Sequence, residues 1–204
     1  MDRANRKHGI FTVANMAKIG ILSAIAVLLM LLDIPLWFAP SFYKIDLSEI
    51  VVAIGAFAMG PVAGIMIELL KILLNLLLNG TDTAAVGEFA NFLIGCSFIV
   101  PASLIYQRKK NVKNAVIGLG VGTLCMTVVG CAINYFILLP VYSAAFGMPL
   151  EQLVAMGTAI NGNINTLFTF VLLAVGPFNL FKGILTSILT VLLYKRVSNV
   201  LHKF

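Results

Sequence analysis

Charge is scarce in this chain. Its 204 residues carry 14 Lys and Arg and 8 Asp and Glu, 11% in all, against 60% hydrophobic residues and a mean hydropathy of +1.02. No soluble core of this size hides so much apolar surface, so the composition excludes a soluble domain and requires an integral membrane protein. Histidine is confined to His8 and His202 near the ends, and the three cysteines, Cys96, Cys125 and Cys131, fall in apolar runs without metal-ligand spacing. They read as small packing residues, and no metal site is expected. Also missing are a Gly-x-x-x-x-Gly-Lys-Ser/Thr phosphate loop, a Gly-x-Ser-x-Gly elbow and any base-nucleophile pair, which argues against ATP hydrolysis and against an enzyme. The net charge of +6 has no soluble surface on which to gather; it points to anionic membrane lipid and excludes nucleic acid as a partner. The Asn79-Gly80-Thr81 triplet fits a glycosylation acceptor but is too short a pattern to carry weight.

What is present is a series of apolar stretches near the roughly 20 residues that cross a bilayer as a helix. They lack the alternation of a membrane barrel, so the expected class is an all-α integral membrane protein with six transmembrane helices. The expected spans run from about Val13 to Leu32, Leu47 to Met59, Val62 to Leu78, Phe89 to Gln107, Ala115 to Tyr142, and within Leu167 to Tyr194. Gly60-Pro61 separates the second from the third. The second is short for a span, which suggests tilt or local thinning. Pro177 leaves two readings of the last: a span that begins at Pro177, or a kinked helix that includes Leu167 to Gly176. Arg3, Arg6 and Lys7 ahead of the first apolar run resemble a signal peptide, but the run is long and further spans follow, so it is expected to be retained.

Charge distribution orients the spans. The basic clusters Arg3/Arg6/Lys7, Arg108/Lys109/Lys110/Lys113 and Lys195/Arg196/Lys203 share one side if there are six spans, and the positive-inside rule makes that side, with both termini, cytoplasmic. Asp33, Asp46, Glu49, Asp82, Glu88 and Glu151 then face outward, with Lys44 their one basic neighbour. The chain reads as one domain, residues 1–204, in the cell membrane.

Depth selects the candidate site. Asn75, Asn91, Asn134 and Lys182 all fall in the outer half of their spans, Lys182 about one turn inside if the last span starts at Pro177. Unpaired amides in hydrocarbon cost several kcal/mol each, so they should face one another or an enclosed cavity. The plainer readings are asparagines as interhelical glue and a lysine that snorkels to the interface. Glu68 and Lys71, three apart on one helical face, neutralise each other in the simplest reading; Lys71, four residues before Asn75, also fits the outer cavity. Trp37, Phe38, Phe42, Tyr43, Phe89, Tyr135, Phe178 and Phe181 crowd the same outer side. Such rings usually anchor a protein at the interface. Beside amides and one ammonium they also suit a flat heteroaromatic ligand with a polar tail.

Several runs carry a more specific likeness. Tyr43-Lys44-Ile45-Asp46-Leu47-Ser48-Glu49-Ile50, Gly60-Pro61-Val62-Ala63-Gly64, Phe89-Ala90-Asn91-Phe92-Leu93, Asn134-Tyr135-Phe136-Ile137-Leu138-Leu139-Pro140-Val141-Tyr142, Gly176-Pro177-Phe178-Asn179-Leu180-Phe181-Lys182-Gly183 and Leu193-Tyr194-Lys195-Arg196 together resemble the riboflavin-specific S component of energy-coupling factor (ECF) transporters, in order over nearly the whole chain. The resemblance implies a membrane subunit of a prokaryotic importer that captures riboflavin from outside, binds it without any cofactor, and works with a transmembrane coupling protein and two cytoplasmic ABC-type ATPases. It implies that Asn134, Asn179 and Lys182 hydrogen-bond the flavin, that the loop around Tyr43, Asp46 and Leu47 closes over it, and that the whole subunit topples in the bilayer during transport. Two departures stand out. Val51 occupies a position where the family usually has proline, and the Ala-x-x-x-Ala motif of the first helix, which packs on the coupling protein, is here Gly20-x-x-x-Ala24. The connection from Ser143 to Thr166 is long for the family. An S component for another vitamin, a solitary facilitator and a membrane scaffold remain as alternatives.

Overall fold

The computed structural model describes residues 12–36, 43–81, 85–145 and 147–201, with side chains as far as Tyr194. Trp37, Phe38, Phe42 and Asp82, the basic residues of the N-terminus, and the side chains of Lys195, Arg196 and Lys203 lie outside that description. The chain is almost wholly helical. Helix α1, Val13–Met30, is opened by Thr12, whose side chain accepts the Asn15 N–H. A hairpin of two-residue strands follows, β1 (Ile34–Pro35) and β2 (Lys44–Ile45), with Ile34 opposite Ile45 and an exposed Lys44–Asp33 ion pair at 2.7 Å. Next come α2 (Ser48–Met59), α3 (Pro61–Asn79), α4 (Val86–Arg108) and α5, which runs Val112–Ala145. A short helix, α6 (Leu150–Thr158), fills the long connection, and α7 begins at Leu167 and continues to Leu201.

Among the described residues, five helices are long and apolar enough to cross a membrane: α1, α3, α4, α5 and α7; α2, at 12 residues, is apolar but short. The sharp reversal between α2 and α3 needs Gly60, at φ +99°, followed by Pro61 in the first turn of α3, where its missing N–H costs nothing. With Val51 in place of proline, α2 starts at Ser48, directly after the hairpin. Helices α4 and α5 approach most closely at Gly118 and Gly122, where an added Cβ would strike the carbonyl oxygens of Ala102 and Phe98.

Two prolines shape the outer half. In α5 the turn Asn134–Leu138 is a π-turn, and the Leu139 N–H donates to the Asn134 carbonyl five residues back, just before Pro140. In α7 the turn Val171–Val175 is built the same way, with the Gly176 N–H donating to Val171 O just before Pro177. Widening a turn by one residue makes room for a ring that would collide with the carbonyl four residues earlier. Pro177 therefore neither starts nor breaks the last helix: of the two readings, the continuous one holds, and Lys182 lies fifteen residues, roughly 22 Å, past the helix start at Leu167. The placement of Lys182 one turn inside the span is corrected by this. The two widened turns pack against each other, and the Cys131 thiol sits 4.0 Å from Val171 O.

The apolar interior has an inner and an outer part. Ile19, Ala53, Ala56, Phe57, Ile67, Phe98, Ile99 and Tyr106 join α1 to α4, with the Phe57 and Tyr106 rings stacked at 4.4 Å and Tyr194 of α7 edge-on. The outer cluster gathers Tyr43 and Ile45 of the hairpin, Leu139, Ile164, Phe170, Val171, Val175 and Phe178. That second cluster seats the hairpin on the two widened turns.

Candidate functional site

Distances from the outer cluster inward define the site. Tyr43, just before β2, is buried, its ring centroid 4.9 Å from that of Phe178, and its hydroxyl donates to Asn134 Oδ1 at 2.6 Å. Burial, with Tyr142 and Cys131 nearby, pushes the Tyr43 phenol well above its ordinary range, so it acts as a neutral donor. Three residues on, Asp46 Oδ2 meets Lys182 Nζ at 3.1 Å, with both side chains about nine-tenths buried. The other carboxylate oxygen, Oδ1, accepts the Ser48 N–H at 2.9 Å and the Ser48 hydroxyl, an Asx turn that leads directly into α2. Burial alone would raise the Asp46 carboxyl, but the ammonium groups of Lys182 and Lys71 and the two Ser48 hydrogen bonds outweigh it and hold the group well below the usual carboxylate range.

The asparagines are oriented by their own helices. Asn134 Nδ2 donates to Gly130 O at 2.8 Å, and Asn179 Nδ2 donates to Val175 O at 2.9 Å, each four residues back. Each amide then presents its oxygen away from the helix. The Asn134 oxygen is taken by Tyr43, whereas Asn179 Oδ1 has no protein donor among the described residues. Asn179 lies against Gly130 so closely that a Cβ there would overlap the amide. Lys182, one turn beyond Asn179 on the same face, has one of its three protons directed at Asp46. The arrangement thus offers an acceptor, an ammonium with further donors, and the Tyr43 and Phe178 rings, covered by the hairpin.

Of the residues singled out from the sequence, Tyr43, Asp46, Asn134, Asn179 and Lys182 come together here. Leu47 is half-buried and forms the N-cap position of α2 without a side-chain hydrogen bond. Asn75 is buried on α3 and Asn91 half-buried on α4, and neither side chain forms a hydrogen bond among the described residues. Tyr43 and Phe178 turn inward, Tyr135 is half-buried, and Phe89 and Phe181 are exposed; Phe89, in the first turn of α4, suits an interfacial belt, whereas Phe181 lies too far along α7 for one. Gly20 and Ala24 lie on an exposed face of α1, with nothing within 4 Å of a Cβ at Gly20.

Sequence reasoning missed three participants. Glu49, expected on the outer surface, is buried and takes a hydrogen bond from Lys71 at 2.8 Å, so the Glu68–Lys71 pair is in fact a trio. Ser48 holds the second Asp46 oxygen, which the Asp-x-Ser spacing could have suggested. Gly130 clears room for Asn179, and no local pattern marks it.

Residues 14–194 match the family of ECF transporters, substrate-specific component. The chain is 38% identical over 185 residues to the riboflavin transporter RibU of Staphylococcus aureus (strain TCH60), over 91% of this chain and 90% of that protein. It is 31% identical over 183 residues to the riboflavin transporter FmnP of Bacillus subtilis (strain 168), over 89% of this chain and 90% of that one. A solved structure of the S component of a bacterial ECF transporter superposes with a TM-score of 0.73 at 36% identity, over 91% of this chain and 96% of the other.

Proposed function

This chain belongs to the family of ECF transporter substrate-specific components, and on that premise we propose that it captures riboflavin at the outer face of a bacterial cell membrane and delivers it inward. It is a multi-pass membrane protein and a transport subunit. The single observation that supports the site is the pairing of the hairpin with the helices. Asp46 and Tyr43 reach Lys182 and Asn134, so the outer loop is seated on the very side chains suited to a flavin.

In this reading the chain forms one domain over residues 1–204, with six spans once α2 is counted and both termini in the cytoplasm. Asn179 Oδ1 and the remaining Lys182 protons meet the polar edge of the isoalloxazine, and Tyr43 and Phe178 lie against its face. Asn75 and Asn91 line the far side of the same space. A ligand lacking a matching polar atom leaves a buried group unpaired at about 1–3 kcal/mol, which is the source of discrimination. The ammonium stays charged and no bond is made or broken, so no cofactor is needed. Energy comes from a transmembrane coupling protein, packed on the open Gly20/Ala24 face of α1, and two cytoplasmic ABC-type ATPases.

Purification in detergent followed by flavin fluorescence tests the reading. Quenched, tightly held riboflavin in the wild type, lost in Lys182→Ala with the helical content intact, is the expected result. A folded protein that binds another vitamin and ignores riboflavin refutes it.

A further inference from the structure

Behind the hairpin lies a second ionic cluster that riboflavin capture leaves unused. Lys71 Nζ on α3 is 2.8 Å from Glu49 Oε1, on the first turn of α2, and 2.8 Å from Glu68 Oε2 on its own helix. None of the three side chains is more than 2% exposed. The contact with Glu49 is a hydrogen bond, whereas that with Glu68 Oε2 is an ion pair without hydrogen-bond geometry. Glu49 Oε2 and Glu68 Oε1 are also buried with no hydrogen-bond partner among the described residues. Gly95 of α4 closes the cluster, because a Cβ there would overlap Glu68 Oε1 and crowd Glu49 Oε1. Among the described residues, the other ionisable groups that interact electrostatically with the cluster are Cys96 on α4, Asp46 beside α2 and Lys182 on α7.

Charge does not balance in this cluster. Asp46 and Lys182 cancel, which leaves two carboxylates against one ammonium, all three side chains closed off from solvent by the surrounding helices. An uncompensated buried charge is among the most costly features a fold can carry, so a further positive charge belongs here. Lys71 occupies the space between the carboxylates that a metal ion would need. We propose that Glu68 binds a proton, making it a neutral carboxylic acid and the five-residue cluster a site of no net charge. The bound proton suits the transport role proposed above: a membrane-embedded subunit then holds no net buried charge within the membrane potential. That role rests on the transport reading; the proton itself rests on the geometry.

Infrared spectra of the purified full chain, in H2O and D2O at neutral pH, test the site. The wild type should show the carbonyl stretch of a protonated buried acid. The band should vanish in Glu68→Gln, and also in Glu49→Gln, where Glu68 is left to pair one-to-one with Lys71. Because the folded state holds this proton more tightly than the unfolded chain, the wild-type thermal midpoint should fall as pH rises above the ordinary carboxylate range, and Glu68→Gln should lose that part of the decline. No acid band in the wild type, or a band that survives both substitutions, overturns the proposal. So does a midpoint raised by sodium over choline at fixed ionic strength and insensitive to sodium in Glu68→Gln, since the counter-charge is then a metal ion. Riboflavin titration of the same samples separates the two readings: an acid band without flavin binding upholds the proton site and refutes the proposed ligand.

Discussion

Replacing Asp46 by Asn tests whether the hairpin is held shut by charge. The substitution keeps the shape and an oxygen for the Ser48 N–H, but it leaves the Lys182 ammonium, about 90% buried, without its anion. Breaking one side of a buried, hydrogen-bonded pair typically costs about 3–5 kcal/mol. Glu49 also attracts Lys182, which offsets part of the loss, while Lys71 repels it. The net expectation is about 2–3 kcal/mol against the closed hairpin, or roughly 30- to 150-fold weaker riboflavin binding, at about 1.4 kcal/mol per factor of ten. Stopped-flow fluorescence should place most of that loss in the dissociation rate, because a desolvated contact governs residence and not encounter. In a cycle with Lys182→Met, the double variant should be much less impaired than the two single effects combined, since it removes the stranded charge. Unchanged affinity and dissociation in Asp46→Asn, or single effects that simply add, would refute the latch.

Other consequences follow from the same geometry. The Asp46 carboxyl is held below its ordinary range, so its contribution is complete above about pH 4 and is lost only as pH falls through that lower folded value. Titrations at pH 5 and pH 8 should therefore show no change in affinity traceable to Asp46, measured as the wild-type ratio against that of Asp46→Asn. Tyr43→Phe keeps the ring against Phe178 but removes the donor to Asn134 Oδ1 and should weaken binding by about 0.5–1.5 kcal/mol, up to roughly tenfold, read by equilibrium titration. Gly130→Ala drives a methyl into the Asn179 amide and should cost about 1–3 kcal/mol in thermal stability, with a larger share in flavin affinity. Pro177→Ala removes the ring that the widened turn Val171–Val175 accommodates. If that turn tightens, everything beyond it rotates by roughly 100°, so riboflavin affinity should collapse while helical content by circular dichroism is kept.

Much of the site was legible because polar residues in apolar runs stand out. Asn134 and Lys182 stand out as polar groups in apolar runs, whereas Asn179, Tyr43 and Asp46 were marked by runs that resemble the family. Pro177 was ambiguous for a physical reason. A proline's local effect is the same whether it starts a helix or follows a π-turn, and the choice depends on whether neighbouring backbone can hold the widened turn, here the matching turn in α5. Glu49 misled for a similar reason: an acidic residue in a first helical turn suits the helix dipole and looks solvated until its partner is known.

By itself, the sequence determined the membrane environment and the order of the helices, because hydropathy acts over neighbouring residues; the depth of Lys182 depended on the continuous course of α7. Only the tertiary structure decided which charges meet. Asp46 finds Lys182 across 136 positions, and Glu49 joins Lys71 across 22. Those pairings depend on how the helices rotate and approach, with Gly64 of α3 lying close against Ala56 of α2 and the widened turn of α7 preceding Lys182, and in a low-dielectric interior such placement makes the difference between a costly stray charge and a closed latch.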